Sequence, residues 1–454
     1  MRILYLFMMA SLFGAWWAAM RRVRQNFSGL TPVLGWLVGL AFFLLCPILV
    51  MVLYNGHELP AYYGYNGAWS AVDFSKVAFV GPMLVVWTAL LLSFLTVYAL
   101  LPETSGAKGD DDFEFNLPRL ERVLLISMAL SLVQWGVSIW AQGGLMQFLL
   151  SHWYTRGEEM AERYGHGYAL WLQLTLANQI IFTSASALYA SLQIRQRRYR
   201  RRFLSLVLLF FLIEMFMEGN RIFIAVFLLS VVASSWLFER KKIIVILVLA
   251  APILAFAFTA WASLRSGLTT LDENFSKYLV ADIRDRTATV LMEAFDGTGS
   301  MLLLHVIDDF GGEYPYLYGS SYSRAVTFVV PRSVYPERPE SFSVVLAQTY
   351  EPGEDTSLSA TALGEMYANF GLLSVLLLPL FTAAVVSISN RLTASREEHV
   401  LLSSVIFVLM IWNARIALAD TFITFVLCAL LIWILRWESG LCSRPRAGAR
   451  WYFP

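Results

Sequence analysis

Apolar runs of about 20 residues recur along this chain, and little else leaves so few folds open. Such a run, if helical, spans the ~30 Å hydrocarbon layer of a bilayer. Lipid offers no partner for a backbone N–H or C=O, so runs that cross it must be helices or closed barrels. They fall near residues 3–20, 33–53, 77–100, 121–141, 168–193, 203–217, 221–238, 243–262, 361–388, 400–418 and 421–436. The expectation is an all-α polytopic membrane protein with about 11 transmembrane helices. The sixth and seventh are short, which suits a tight hairpin or a pair partly sunk in the bundle. Composition agrees: 58% of residues are apolar and 15% charged, far from the balance of a soluble domain.

Basic clusters orient the runs. Arg21–Arg24, Arg195–Arg202, Glu239–Lys242, Arg391–Arg396 and Arg444–Arg450 all fall on one side of an eleven-span chain whose C-terminus is inside. The first run has its basic cluster after it, which favours an uncleaved helix with an external N-terminus over a signal peptide. The chain then divides into spans one to eight (1–262) with external loops 54–76 and 142–167, a large external loop 263–360, and spans nine to eleven with the tail (361–454). The large loop carries apolar stretches such as SMLLLHV and FVV, so it is expected to be ordered and partly helical. The net charge of +1 is partitioned by loop and so says nothing about partners; no nucleic-acid partner is expected. Cys46, Cys428 and Cys442 show neither metal-ligand spacing nor a disulfide framework, and no metal site or cofactor fingerprint is visible.

What stands out chemically is a surplus of arginine on the external side, where basic residues are normally sparse. Arg156, Arg163, Arg221, Arg265, Arg284, Arg286, Arg324, Arg332, Arg338 and Arg415 are accompanied by Asp282, Asp285, Glu293, Asp308, Asp309, Glu365 and Asp420. Arginine suits planar contact with phosphate or carboxylate oxygens, and the same residues could equally neutralise one another. Arg221 sits at the tip of the short hairpin, Arg265 at the end of the eighth span, and Arg415 inside an apolar run with Asp420 close by. A charged residue within a span is a functional hypothesis by default, and an Arg415–Asp420 pair is the structural alternative. Asp308, Asp309 and Glu365 are equivalent candidates for a general base, and the external histidines are not excluded from that role. External Tyr and Trp fit sugar stacking and an interfacial belt alike.

The stretch YSRAVTFVVPRSVYPERPES (322–341) places Arg324, Pro331, Pro336, Arg338 and Pro339 in an R-x6-P-x4-P-x-R-P arrangement. That pattern resembles the Wzy-type bacterial polysaccharide polymerases, most of all the enterobacterial common antigen polymerase branch. Supporting matches are RRVRQNF after the first span, Gly219-Asn220-Arg221, Ala414-Arg415 with Asp420, and TALGEMYANFG (361–371), together spread over most of the chain. The resemblance implies a GT-C-like, inverting membrane glycosyltransferase at the periplasmic face of the bacterial inner membrane, with a periplasmic N-terminus and a cytoplasmic C-terminus. Its donor and acceptor would be oligosaccharides linked to undecaprenyl pyrophosphate, with no cofactor, and a chain-length regulator as partner. It also implies Arg221, Arg265, Arg324, Arg338 and Arg415 as ligands of the pyrophosphate or other substrate charge, with Asp420 and Arg284 supporting them. The alternatives are a lipid-linked glycan ligase and a lipid-linked sugar flippase. The three prolines are expected to form a stiff turn presenting Arg324 and Arg338, with Arg332 structural.

Overall fold

The computed structural model describes residues 2–54, 79–103, 114–154, 166–197, 200–218, 222–249, 291–292, 295, 297–327, 330, 334–352, 358–394, 399–437 and 441–443. The loop 55–76, the eighth span beyond 249, Arg332 and the basic tail lie outside the described residues. So do three candidate site residues, Arg221, Arg265 and Arg284.

The described chain is a helical bundle. Its elements are α1 (Arg2–Asn26), α2 (Pro32–Leu40), α3 (Cys46–Tyr54), α4 (Val80–Leu100), α5 (Leu117–Ala141), α6 (Leu145–Tyr154), α7 (His166–Gln196), α8 (Arg201–Glu218) and α9 (Ile222–Leu237). After a helical stretch at 241–249 come α10 (Thr298–Asp309), α11 (Ser320–Thr327), α12 (Phe342–Tyr350), α13 (Thr361–Phe370), α14 (Ser374–Ala394), α15 (Val400–Asn413) and α16 (Leu418–Ile434). Strand structure among the described residues is one antiparallel pairing of β1 (Glu114–Phe115) with β2 (Cys442–Ser443). Among the described residues, five helical segments are long and apolar enough, by length and composition, to cross a membrane: Arg2–Asn26, Pro32–Tyr54, Val80–Leu100, Leu117–Ala141 and Thr361–Thr393. Helices α9, α15 and α16 are apolar but shorter. These lengths and compositions match a multi-pass membrane protein.

The basic clusters among the described residues gather at one end of the bundle. At the end of α1, Arg24 pairs with Glu239 and lies over the Trp236 ring, both at the end of α9. Arg240 donates to the Ile194 carbonyl near the end of α7, and Arg200 grips Glu121 at the start of α5 through two hydrogen bonds of 2.7 and 2.9 Å. The end of α14 joins the same layer, since Ser389 accepts from the Val33 N–H at the start of α2. At the other end Arg2 donates to Val52 of α3.

Helix α2 meets α15 through Gly35 and Gly39, four residues apart on one face. A Cβ at Gly35 would stand 2.2 Å from the Phe407 carbonyl oxygen, and one at Gly39 would stand 2.7 Å from that of Ile411. Small residues at this spacing let two backbones touch, which is how helices associate where no hydrophobic drive separates them from lipid. Buried indoles and hydroxyls add cross-links: Trp36 donates to Thr382 of α14, Trp16 to the Leu37 carbonyl, and Ser404 of α15 to the Ser184 carbonyl of α7.

The α2–α15 contact also sets a depth. Ala414 lies beside Gly39, so α15 ends near the middle of the rod formed by α2, a π-helical turn (Ala41–Leu45) and α3. Such a turn loosens the regular carbonyl ladder, and here the Phe43 carbonyl accepts from Ser300 of α10 at 2.6 Å. Within the segment read as a large external loop, α10 is thus sunk into the bundle, buried from Gly299 through Leu304 and at Val306 and Ile307. Helix α13 runs parallel to it, as Gly299 abuts the Ser359 carbonyl and Leu303 abuts Gly364. The chain passes into α14 through a short 3-10 turn at Gly371, whose φ of 58° suits glycine and whose Cβ would meet Tyr316 at 2.8 Å. The stretch expected as one span at 361–388 is therefore divided at Gly371 into two helices, α13 and α14. Irregular backbone at this depth is tolerable because protein, not lipid, surrounds it.

Gly35→Ala is expected to destabilise the protein by about 1–3 kcal/mol through forced separation of α2 and α15. Gly14→Ala, with open space around it, should be neutral or gain up to about 1 kcal/mol of helix propensity. Thermal unfolding in detergent should shift Tm down for the first and leave it level or raised for the second.

Candidate functional site

Helix α16 begins with a problem. Its first N–H groups have no intrahelical acceptors, its N-cap is Ala417, which has no side chain to supply one, and it starts inside the bundle. Glu365 of α13 supplies the acceptor. Its Oε2 accepts from the Leu418 N–H at 2.5 Å, the Ala419 N–H faces the same carboxylate, and the side chain is fully buried. The positive end of the α16 dipole adds to this attraction.

The other carboxylate oxygen extends the network to α11. Ser321 donates from Oγ to Glu365 Oε1 at 2.9 Å and accepts from Asn369 Nδ2 at 2.9 Å. Asn369 lies one turn after Glu365 on α13; its Nδ2 also donates to the Glu365 carbonyl, and its Oδ1 accepts from the Gly319 N–H at 2.8 Å. Helix α11 is fixed in this way by three polar side chains of α11 and α13. Tyr322 stacks on Phe370 with ring centroids 5.8 Å apart.

Arg324, one turn after Ser321, points to the first turn of α16. Its Nε stands 3.5 Å from Asp420 Oδ1, an ion pair without a hydrogen bond. Arg324 Nε and Nη1 are buried and have no hydrogen-bond partner in the protein. The guanidinium is therefore held by charge while part of its donor fork is unused. Sequence proximity suggested that Asp420 would pair with Arg415; the structure pairs it with Arg324. Arg415 lies not within a span but in the turn 414–417, where its carbonyl accepts from Ser359 Oγ at 2.6 Å.

The remaining described candidates stand apart from this cluster. Asp308 and Asp309 close α10, about one helical turn or ~6 Å beyond the level of Glu365. The Tyr350 hydroxyl donates to Asp309 Oδ2 at 2.8 Å, whereas Asp308 is exposed. Burial raises both carboxyls above the ordinary Asp range; Asp309 raises Asp308 further, while His305 and the Tyr350 hydrogen bond act in the opposite sense on Asp308 and Asp309 respectively. Arg338 turns its Nη1 to the Val330 carbonyl at 3.1 Å. Arg324 is carried by a helix, not by the proline turn expected to present it, because the turn chemistry begins only after Thr327.

Sequence reasoning missed Ser321 and Asn369, although Glu365 and Asn369 at i and i+4 mark a polar stripe on α13. It also passed over Glu214, a carboxylate inside the apolar run LFFLIEMFME. Two cavities, lined by residues such as Thr31, Arg195 and Ser404 and by Arg119, Arg122 and Arg436, lie at the basic end, away from these carboxylates. Among the described residues no group of three or more His, Cys, Asp or Glu side chains is placed to hold a metal ion. Comparison with protein-family models, with curated proteins and with solved structures gives no match.

Glu365→Ala removes the acceptor of both Leu418 and Ser321 and is expected to cost at least about 3 kcal/mol. Glu365→Gln keeps a carbonyl acceptor but loses the charge, so its Tm should fall by less; equal losses in the two variants would show that the capping bonds contribute little.

Proposed function

We propose that this protein is an inverting membrane glycosyltransferase of the GT-C-like kind that polymerises lipid-linked oligosaccharide repeat units. In this reading the bundle has eleven spans, its basic end faces the bacterial cytoplasm, and the α10–α13 end opens to the periplasm. The growing glycan leaves undecaprenyl pyrophosphate and joins the non-reducing-end hydroxyl of another lipid-linked repeat unit. A chain-length regulator is the expected partner.

The observation that carries the reading is Arg324. A guanidinium buried against a single carboxylate, with two N–H-bearing nitrogens unbonded, suits a diphosphate that arrives with several oxygens. Asp420 keeps it in place between turnovers. As the bond from the anomeric carbon to the diphosphate oxygen breaks, negative charge grows on the leaving group, and a pre-placed arginine stabilises it. Arg415, in the turn before α16, supports the same role, and the R-x6-P-x4-P-x-R-P resemblance points to the same chemistry.

The base must take the proton of the acceptor hydroxyl as that oxygen bonds the anomeric carbon. Glu365 has both oxygens engaged as acceptors and serves better as the strut that positions α11 and α16. Asp309 is engaged by Tyr350. Asp308, exposed at the end of α10, fits the base role best, because an exposed carboxylate there can reach a substrate hydroxyl.

Arg324→Ala and Arg415→Ala are expected to lower chain extension on synthetic lipid-linked repeat units by about 10²-fold or more, with Tm nearly unchanged. Arg324→Lys should also impair extension, because the planar fork is lost. Wild-type extension by all three would remove the arginine site. Transbilayer movement of the lipid substrate without extension would favour a flippase, and transfer only to a lipopolysaccharide core would favour a ligase.

The pH profile tests the base. Only the deprotonated carboxylate accepts a proton, so kcat/KM should rise with pH through the raised Asp308 titration and level off above it. Asp308→Asn should lose activity by about 10²–10⁴-fold with Tm within a few degrees of wild type. Retention of the acid limb in that variant would assign it to another group.

A further inference from the structure

Helix α8 ends with two acidic residues one turn apart, Glu214 and Glu218, neither of which takes part in the glycosyl transfer proposed above. Their i, i+4 spacing places them on one face with Phe210. Trp135 of α5 covers this face: its ring stacks on Phe210 with centroids 5.5 Å apart, and its Nε1 donates to Glu218 Oε1 at 2.6 Å. Gln179 of α7 reaches the Glu218 carboxyl from the other side. Behind them runs a buried polar seam between α5 and α7, in which Asn178 bonds Ser127, Ser131 and Gln134.

Glu214 differs from every other acidic side chain described above. It is 1% exposed, and neither Oε1 nor Oε2 has a hydrogen-bond partner. Gln179 Nε2, on a side chain 3% exposed, also lacks one by strict geometry, so its contact with Glu218 is loose. The two carboxyls are close enough to repel each other. A charged carboxylate without a partner inside a bundle is strongly disfavoured, and a second carboxyl beside it disfavours the charge further. Among the described residues, the fixed charges on the packed helices do not reach Glu214: Arg119, Glu121 and Arg122 of α5, Arg195 of α7, and Arg201 and Arg202 of α8 are all at the basic ends, and α9 has none, while Arg221, three residues after Glu218, lies outside the described residues. His152 and Tyr154 on the neighbouring α6 have side chains outside the described residues, as is that of His166 at the far end of α7. Tyr189 of α7 is bound to Glu121 at the basic end.

We propose that Glu214 and Glu218, with the side-chain amide of Gln179, form an intramembrane site for one small monovalent cation, a proton or an alkali-metal ion. Either one places positive charge between the two carboxyls and gives Glu214 the partner that the protein does not. A metal ion would take carboxylate oxygens and the Gln179 carbonyl; a proton would convert Glu214 into a hydrogen-bond donor facing Glu218. Intramembrane carboxylates of this kind mark ion or proton sites in other membrane proteins, and the site is independent of the arginine chemistry proposed above.

A hydrophobic carbodiimide tests this on the full-length wild-type protein in detergent. The reagent adds to a protonated carboxyl in an apolar setting, and peptide mass spectrometry locates the adduct. Glu214 should be labelled, with labelling falling about tenfold per pH unit above its titration point. Sodium or potassium chloride is then exchanged for choline chloride at constant ionic strength. Protection by one of the metal ions identifies an alkali-metal site, and dependence on pH alone identifies a proton site. Glu214→Gln should abolish the adduct, and Glu218→Gln, which keeps Glu214 itself, should weaken its dependence on pH and cation. Labelling that is absent at every pH, or that ignores both pH and cation, overturns the proposal.

Discussion

The fully buried Glu365 carboxylate, accepting from the start of α16 and from Ser321 at once, organises the half of the bundle away from the basic clusters. A helix that starts inside a membrane protein brings unpaired N–H groups to a place water does not reach, and each is costly if left alone. Alanine at the N-cap cannot help. A carboxylate from another helix can, and the contact ties α13 to α16. Its second oxygen then ties α11 to both, and α11 delivers Arg324 to Asp420. The arginine that carries the functional proposal is thus positioned by a capping contact made by a different residue.

The geometry around that contact depends on helices that stop part-way. Helix α15 ends beside Gly39, α10 is anchored at Phe43 in the π-helical turn, and α13 stops at Gly371. Each interruption leaves backbone groups that the protein must satisfy internally, and hydroxyls do this in two of the three places: Ser300 on the Phe43 carbonyl and Ser359 on the Arg415 carbonyl. Interrupted helices also let side chains at mid-depth face a shared interior, whereas a full-length apolar helix mainly offers packing. The Glu214–Glu218 pair follows the same logic on the α5–α7–α8 side, where a polar seam runs beside apolar faces such as that of Phe182 against Phe210 and Phe211.

Hydropathy is additive along a segment, so the apolar runs were readable residue by residue, and α1, α4 and α5 lie close to the ranges expected. The shared end of the basic clusters was readable for a similar reason, since charge placement near span ends is a local property of sequence. Breaks were not. Gly371 in TALGEMYANFG looks like any glycine in an apolar run; its role comes from Tyr316, brought in by the preceding segment. Asp420 illustrates the same limit. Its neighbour in sequence was Arg415, but the turn at 414–417 separates their directions and α11 brings Arg324 instead.

The sequence alone determined that the chain is helical and built for a membrane, which residues flank its spans, and which charged groups are rare enough there to need a reason. These follow from transfer energies that each segment carries with it. Only the tertiary structure decided that Glu365 caps a helix, that Arg324 faces Asp420 with donors to spare, and that Glu214 has no partner. Those are statements about what lies next to a buried polar atom, and satisfaction of such an atom is a pairwise property that no segment holds by itself.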